Sequence, residues 1–282
     1  MSSRRHRIVH RTTMRYDGEV TAGHNELRMI PVSEPGQATL EARVRVRPLT
    51  WSNVYEDHWG TQVMAMESQT PHDVLEIEAT STVERSELPV EAEDVGWDAV
   101  RDAGTVDQLS EYLAQTERTD PPAEVAALAR EHASAPTPRA AAMDIVARVH
   151  EALTYEQGIT GWQATAAEVW ERRGGVCQDF AHLTLGALRT IGIPARYVSG
   201  YLTVEEGEVA RGTTVPARNH AWIELWDGGW LPLDPTNTGP VGLEHVVVGR
   251  GRDYDDVSPF RGMFVGPEVT DLELEITYTR IG

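Results

Sequence analysis

The chain carries a single cysteine, Cys177, in the stretch Arg173-Gly174-Gly175-Val176-Cys177-Gln178-Asp179-Phe180-Ala181-His182-Leu183. A helix is expected from about Cys177 to Ile191, with Ala181, Leu185 and Leu188 on one face and Gly192-Ile193-Pro194 as its stop. The glycine pair before it allows a sharp turn and a close backbone approach. Cys177 then lies in the first helical turn. The unpaired amide N–H groups and the helix dipole there favour thiolate over thiol, and the same amides can donate to an oxyanion. The ordinary alternative is a small buried thiol used for packing.

A thiol nucleophile needs a base, and the base needs a group to orient it. In His220-Ala221-Trp222-Ile223-Glu224-Leu225-Trp226, alternation puts His220, Trp222, Glu224 and Trp226 on one strand face and Ala221, Ile223 and Leu225 on the other. Asp227-Gly228-Gly229 is a turn signal, and Trp230-Leu231-Pro232-Leu233-Asp234-Pro235-Thr236 returns from it. A three-residue loop sets Trp226 against Trp230 and Trp222 against Asp234, so Asp234 becomes the diagonal same-face neighbour of His220. A two-residue loop would send Asp234 to the wrong face unless a bulge corrected it. Asp234 would then hold the imidazole in one tautomer. Two other readings stand beside this one: Asp-Pro-Thr is also a common turn with Asp bonded to its own backbone, and His182 is a rival base on another part of the Cys177 helix.

Taken in order, Gly174-Gly175-Val176-Cys177, His220-Ala221-Trp222 and Leu233-Asp234-Pro235-Thr236 resemble the transglutaminase-like core, a papain-related cysteine-enzyme fold. The nearer resemblance is to bacterial transglutaminase-like proteins regarded as cysteine proteases. It extends through Gly192-Ile193-Pro194-Ala195-Arg196-Tyr197-Val198-Ser199-Gly200-Tyr201 and the tail Gly251-Arg252-Asp253-Tyr254-Asp255-Asp256-Val257-Ser258-Pro259, and more weakly through Asn25-Glu26-Leu27-Arg28 and Pro71-His72. It implies Cys177 as nucleophile, His220 as base and Asp234 as orienting carboxylate. The second oxyanion donor does not carry over: papain-like enzymes place a glutamine where this chain has Glu171. Gln178, Trp162 and the Cys177 amide are the oxyanion candidates. Trp222, with Trp226 and Trp230, is a candidate for the substrate cleft or for packing between sheet and helix.

The elements that must position these residues are legible in outline. Residues 1–86 read as a small β-sandwich. Its expected strands are Arg7 to Tyr16, closed by an Asp17-Gly18 turn, then Glu26 to Pro31, Ala42 to Arg47, Gln62 to Glu67 and Val74 to Ala79. Residues 87–100 read as a linker. Helices are expected over Val106 to Leu113, after Pro121-Pro122, and over Pro138 to Leu153. Thr165-Ala166-Ala167-Glu168 is a capping box that opens a short helix ended by Gly174-Gly175. The expected class is α+β. A β-sandwich (1–86) is followed by a linker and helical segment (87–160), then a papain-like, transglutaminase-like core with helices packed on an antiparallel sheet and a C-terminal strand (161–282).

Composition narrows the function. The formal net charge is −19, against a nucleic-acid partner. No apolar run is long enough for a membrane helix, and no apolar segment follows the basic start, so neither a membrane partner nor a signal peptide is expected. One cysteine excludes an internal disulfide and a Cys-rich zinc site, and points to a reducing, cytoplasmic setting. Neither metal nor cofactor is expected, and the expected partner is a peptide or protein substrate. The chemistry implied is acyl transfer through a thioacyl enzyme, with water as acceptor giving a peptidase or amidase and an amine giving a transglutaminase. The chain contains no lysine, so it cannot crosslink itself through one. Hydrolysis is the favoured outcome. The alternative from another class is a domain that binds peptide or protein without catalysis.

Overall fold

A computed structural model describes residues 2–87, 93–203 and 209–282. Its frame is an eight-stranded sheet, and every pairing in that sheet is antiparallel. The order is Val246–Gly251, Ala195–Thr203, Thr214–Trp226, Val269–Arg280, Ser3–Val20, His72–Ser86 and Gln37–Arg47, with Trp230–Leu233 paired to the far end of Thr214–Trp226. The first strand, Ser3–Val20, shows why the pairing holds. Ile8, His10, Thr12, Met14 and Tyr16 alternate inward, and a one-residue slip would turn them all to solvent.

A second sheet, Phe260–Val265, Ala22–Leu27, Gln62–Ser68 and Trp51–Glu56, packs on the N-terminal part of the first. Met14, Tyr16, Leu27, Met64, Met66, Leu75 and Ile77 fill the space between. The sandwich therefore borrows strands from the chain's far end: Phe260–Val265 pairs with Ala22–Leu27, and Val269–Arg280 pairs with Ser3–Val20 on one edge and Thr214–Trp226 on the other. It is continuous with the core sheet.

The second half of the core is helical. Cys177–Thr190 is buried on nearly every side, between Ala123–Glu131, Pro138–Ala152 and Ala166–Arg172 and the sheet strands Ala195–Thr203 and Thr214–Trp226. A helix so enclosed is mostly apolar, here through Phe180, Leu183, Leu185, Ala187 and Leu188, and its buried polar residues Asp179, His182, Thr184 and Arg189 are each hydrogen-bonded. The architecture is the expected α+β one. Among the described residues no helix is long and apolar enough to cross a membrane.

Several local expectations differ from the structure. Asp17-Gly18 is not a turn: the strand runs on to Val20 with a shift of register after Arg15, the signature of a bulge that absorbs extra residues without ending the pairing. Trp51–Glu56 is a strand, exposed along its whole length, and so lacks the buried alternation that reveals strands. Within the segment read as a linker, 88–92 lie outside the described residues and Trp97–Arg101 is helical, anchored where Trp97 Nε1 donates to the Ala135 carbonyl at 2.7 Å.

Candidate active site

The helix that carries Cys177 begins abruptly. Arg173 takes the left-handed conformation (φ 57°) that ends Ala166–Arg172, and Gly174-Gly175 then runs extended beside Thr154-Tyr155. The glycines are required by proximity. A Cβ on Gly175 would stand 2.4 Å from Asp179 Oδ2. That carboxylate accepts from the Val176 N–H at 2.8 Å and from the Thr160 hydroxyl at 2.7 Å, and so caps the helix start. Burial pushes the Asp179 carboxyl upward, against those two hydrogen bonds. Cys177 is the first helical residue and is half-buried. Its own amide and that of Gln178 fall in the turn that has no intrahelical acceptor.

The hairpin has the register that a three-residue loop demands: Trp226 pairs with Trp230 and Ile223 with Leu233. Ala221, Ile223 and Leu225 point into the helical core, while Trp222 enters a separate cluster with Val198 and Val247. His220 and Asp234 are both buried, with His220 Nε2 2.8 Å from Asp234 Oδ2. A carboxylate only accepts, so Nε2 carries the proton. Nδ1 is buried without a hydrogen-bond partner, and Cys177 is among the groups that favour the protonated ring. Burial opposes protonation of His220, yet Asp234 and then Cys177 outweigh it and raise its pKa to about 9.

Asp234 is held from five directions. Oδ2 accepts from His220 Nε2, from Asn237 Nδ2 at 2.7 Å and from His245 Nε2 at 3.5 Å. Oδ1 accepts from the amides of Thr236 at 2.9 Å and Asn237 at 3.2 Å. Burial alone would raise this carboxyl; the donors, His220 first, hold it far below the usual carboxylate range. The turn reading and the orienting reading of Asp-Pro-Thr thus coexist, one on each oxygen. His220, Asp234 and His245 present ligand atoms within 4.8 Å of one another. These contacts occupy the carboxylate's roughly four lone-pair directions, and His245 Nδ1 accepts from the Gly242 amide at 3.2 Å, which leaves its proton on Nε2 facing Asp234. The donor set is that of a proton network.

The remaining sequence candidates lie as follows. His182 is fully buried, accepts from the Tyr254 amide at 3.1 Å, and is pushed down to about 3 by burial and then by Arg118 and Arg189; it is a neutral structural histidine. Gln178 donates its amide to the Trp162 carbonyl at 3.0 Å, beside the Cys177 turn, and Trp162 stands exposed in a cleft. Trp222 is not in that cleft. It is wholly buried, stacked at 6.0 Å on His220 and edge-on to His245 at 5.3 Å. Trp230 is engaged by Arg196 at 3.8 Å and by Tyr112. Glu171 is exposed, and a carboxylate has no proton to give an oxyanion. The sequence reading missed His245 and Asn237. Asn237 follows Asp234 closely enough to be sought as an Asx partner; His245 sits in a loop with no periodic signal.

Comparison with known proteins bears on the family and the fold. Residues 126–235 match the Transglutaminase-like superfamily, and residues 6–84 match the Bacterial transglutaminase-like N-terminal region. An uncharacterized protein of Mycobacterium leprae is 39% identical over 277 residues, covering 98% of this chain and 99% of its own length. A protein-glutamine gamma-glutamyltransferase of Pseudomonas aeruginosa is 33% identical over 135 residues, covering 44% of this chain and 20% of that protein. The crystal structure of a candidate cysteine protease from Cytophaga hutchinsonii shares the fold, with a TM-score of 0.75 at 20% identity over 98% of this chain and 91% of that one.

Proposed function

The chain belongs to the transglutaminase-like superfamily, and from that premise we propose that it is a thiol acyl-transfer enzyme acting on amide bonds through Cys177, His220 and Asp234. The observation that carries the reading is the His220 ring itself. One nitrogen is fixed on Asp234 at 2.8 Å, and the other is buried and unpartnered, with Cys177 among the groups that favour the protonated ring. A ring with a pKa of about 9 is protonated at neutral pH and stabilises a thiolate beside it. The thiolate attacks the amide carbon, and the first-turn amides of Cys177 and Gln178 receive the oxyanion. His220 gives its proton to the leaving amine. In the second half-reaction His220 takes a proton from the incoming water, whose oxygen displaces the sulfur.

Hydrolysis is the favoured outcome, because Cys177 is partly exposed and the adjoining cleft admits water. Transamidation is the second reading, and the Pseudomonas aeruginosa gamma-glutamyltransferase supports it. A lone thiol persists in a reducing compartment, so the proposed setting is cytoplasmic. The test pairs two measurements. Iodoacetamide at pH 6 should label Cys177 rapidly in the wild type and slowly in His220→Ala. A peptide-amide library scored for both cleavage and amine incorporation should show turnover that Cys177→Ala abolishes. A thiol equally inert in wild type and variant would replace this reading with the non-catalytic binding domain.

A further inference from the structure

A cleft of about 710 Å³ opens between the sandwich and the helical core. Two of its residues tie it to the thiol and the imidazole. The carbonyl of Trp162 holds the side chain of Gln178, which follows Cys177, and Asn219 precedes His220 on its strand. One wall is built from paired strands: Met14 stands opposite Leu272 and Thr12 opposite Leu274. Trp162 and Tyr254 also line the cleft.

The lining is apolar, and its large side chains are left open. Trp162 is 61% exposed, Leu272 61% and Leu274 54%. Alternation would ordinarily place polar residues at such positions on a solvent-facing strand. A concave apolar surface of this size, lined by chain neighbours and contacts of the reactive residues, is the usual form of a ligand seat. Of its two arginines, Arg118 forms a two-point pair with Asp255 at 3.0 and 3.1 Å, and Arg261 is exposed on the second sheet. His10 at the base bonds to Tyr201 and Thr12, and burial lowers its pKa to about 4, so it is neutral. The buried part of the lining, His10, Thr12, Met14 and Met29, therefore carries no charge and suits an uncharged occupant.

We propose that this cleft seats a bulky uncharged side chain, of leucine or phenylalanine size, on the acyl side of the amide attacked by Cys177. The substrates are then peptides with such a residue next to the reacting carbonyl. The inference rests on the acyl-transfer reading above. It also gives the N-terminal region a part in recognition, because Met14 belongs to the first strand and Leu272 and Leu274 to the strand that closes on it.

Peptidyl chloromethyl ketones bearing Leu, Phe, Glu or Arg next to the warhead, with iodoacetamide as reference, measure this through the rate of Cys177 alkylation. Leu and Phe probes should react at least tenfold faster than Glu and Arg probes, the scale of one apolar side chain in a pocket. Leu274→Asp, and Leu274→Asn as the uncharged control, should remove about tenfold of that preference while leaving the iodoacetamide rate within twofold. Both side chains sit at an exposed position, and thermal unfolding verifies that the variants fold. Equal rates for the four probes, or a preference untouched by both variants, would overturn the proposal. If instead the thiol is inert to iodoacetamide, the acyl-transfer reading has failed, and the seat is read alone by calorimetric titration with acetyl-Ala-Leu-Leu-Ala amide. Saturable binding lost in Leu274→Asp sustains the apolar seat, and no heat of binding removes it.

Discussion

Asp234→Asn probes the site most sharply, because the structure dictates which way the new amide must face. Oδ1 of Asp234 accepts two backbone N–H groups, from Thr236 and Asn237. The asparagine carbonyl oxygen must take that place, or two buried donors lose their acceptor. Its NH2 then occupies the Oδ2 position, where His220 Nε2, Asn237 Nδ2 and His245 Nε2 all now donate. His220 can satisfy an N–H donor only with a bare Nε2, so its proton moves to Nδ1, the nitrogen that must accept from Cys177 in the proposed mechanism. The base is left in the tautomer that cannot accept the thiol proton. The charge effect acts in the same direction. The wild-type ring is raised from 6.5 to about 9, equivalent to about 3 kcal/mol or a few hundredfold in its protonation equilibrium. Asp234 supplies the largest raising contribution and Cys177 the next. Loss of the charge and the wrong tautomer act together, and by analogy with triad tautomer effects the loss is about 10²–10⁴-fold. The assay is kcat/KM on an amide substrate, together with iodoacetamide labelling between pH 5 and 9 and a circular dichroism spectrum to establish folding. The variant should stay folded, lose about 10²–10⁴-fold in kcat/KM, and label poorly at pH 6. A folded Asp234→Asn protein within threefold of wild-type activity would refute both the hairpin argument and the role given to His220.

Two further outcomes follow from the same contacts. His6, His10 and His182 are buried with pKa values lowered to about 4, 4 and 3, in each case chiefly by burial. The unfolded chain, with histidines near 6.5, binds more protons than the folded one below that pH. Their contribution to stability is thus whole above about 6.5 and is lost as pH falls toward 4, so thermal midpoints measured from pH 7.5 to 4.5 should drop steeply below 6.5; a flat profile would contradict their buried, neutral state. Gly200→Ala places a Cβ 2.1 Å from the Val246 carbonyl oxygen and 2.6 Å from the Trp222 ring. Overpacking of this kind costs about 1–3 kcal/mol, and displacement of Trp222 disturbs the ring stacked on His220, so both the thermal midpoint and the labelling rate should fall; an unchanged protein would show that Trp222 does not brace His220.

Periodicity in the sequence located the strands at 7–16, 42–47, 62–67, 74–79 and 220–226 and the helices after Pro121-Pro122, over Pro138–Ala152 and over Cys177–Thr190. It failed where burial does not alternate. Trp51–Glu56 is exposed throughout, and the bulge near Asp17-Gly18 lets one strand continue past a turn-like dipeptide. Glu224 shows a different limit. Its place on the His220 face was evident, but not that it is buried between Arg196 and Arg250, the latter also gripping Glu34. Those partners come from strands and a loop far apart in the chain, and no local pattern announces them.

The sequence by itself determined what short-range geometry controls. A three-residue loop and a period of two bring Asp234 beside His220, and a glycine pair before an apolar helix puts Cys177 in its first turn. Only the tertiary structure decided how these pieces meet. It buried His220 with Nε2 on Asp234, set His245 and Asn237 on the carboxylate, and returned Val269–Arg280 to pair with Ser3–Val20, so that Leu272 and Met14 share one wall of the cleft. Backbone hydrogen bonding between distant strands is chemically the same for every residue. Which edges join is therefore settled by the packing of the whole molecule rather than by any segment of it.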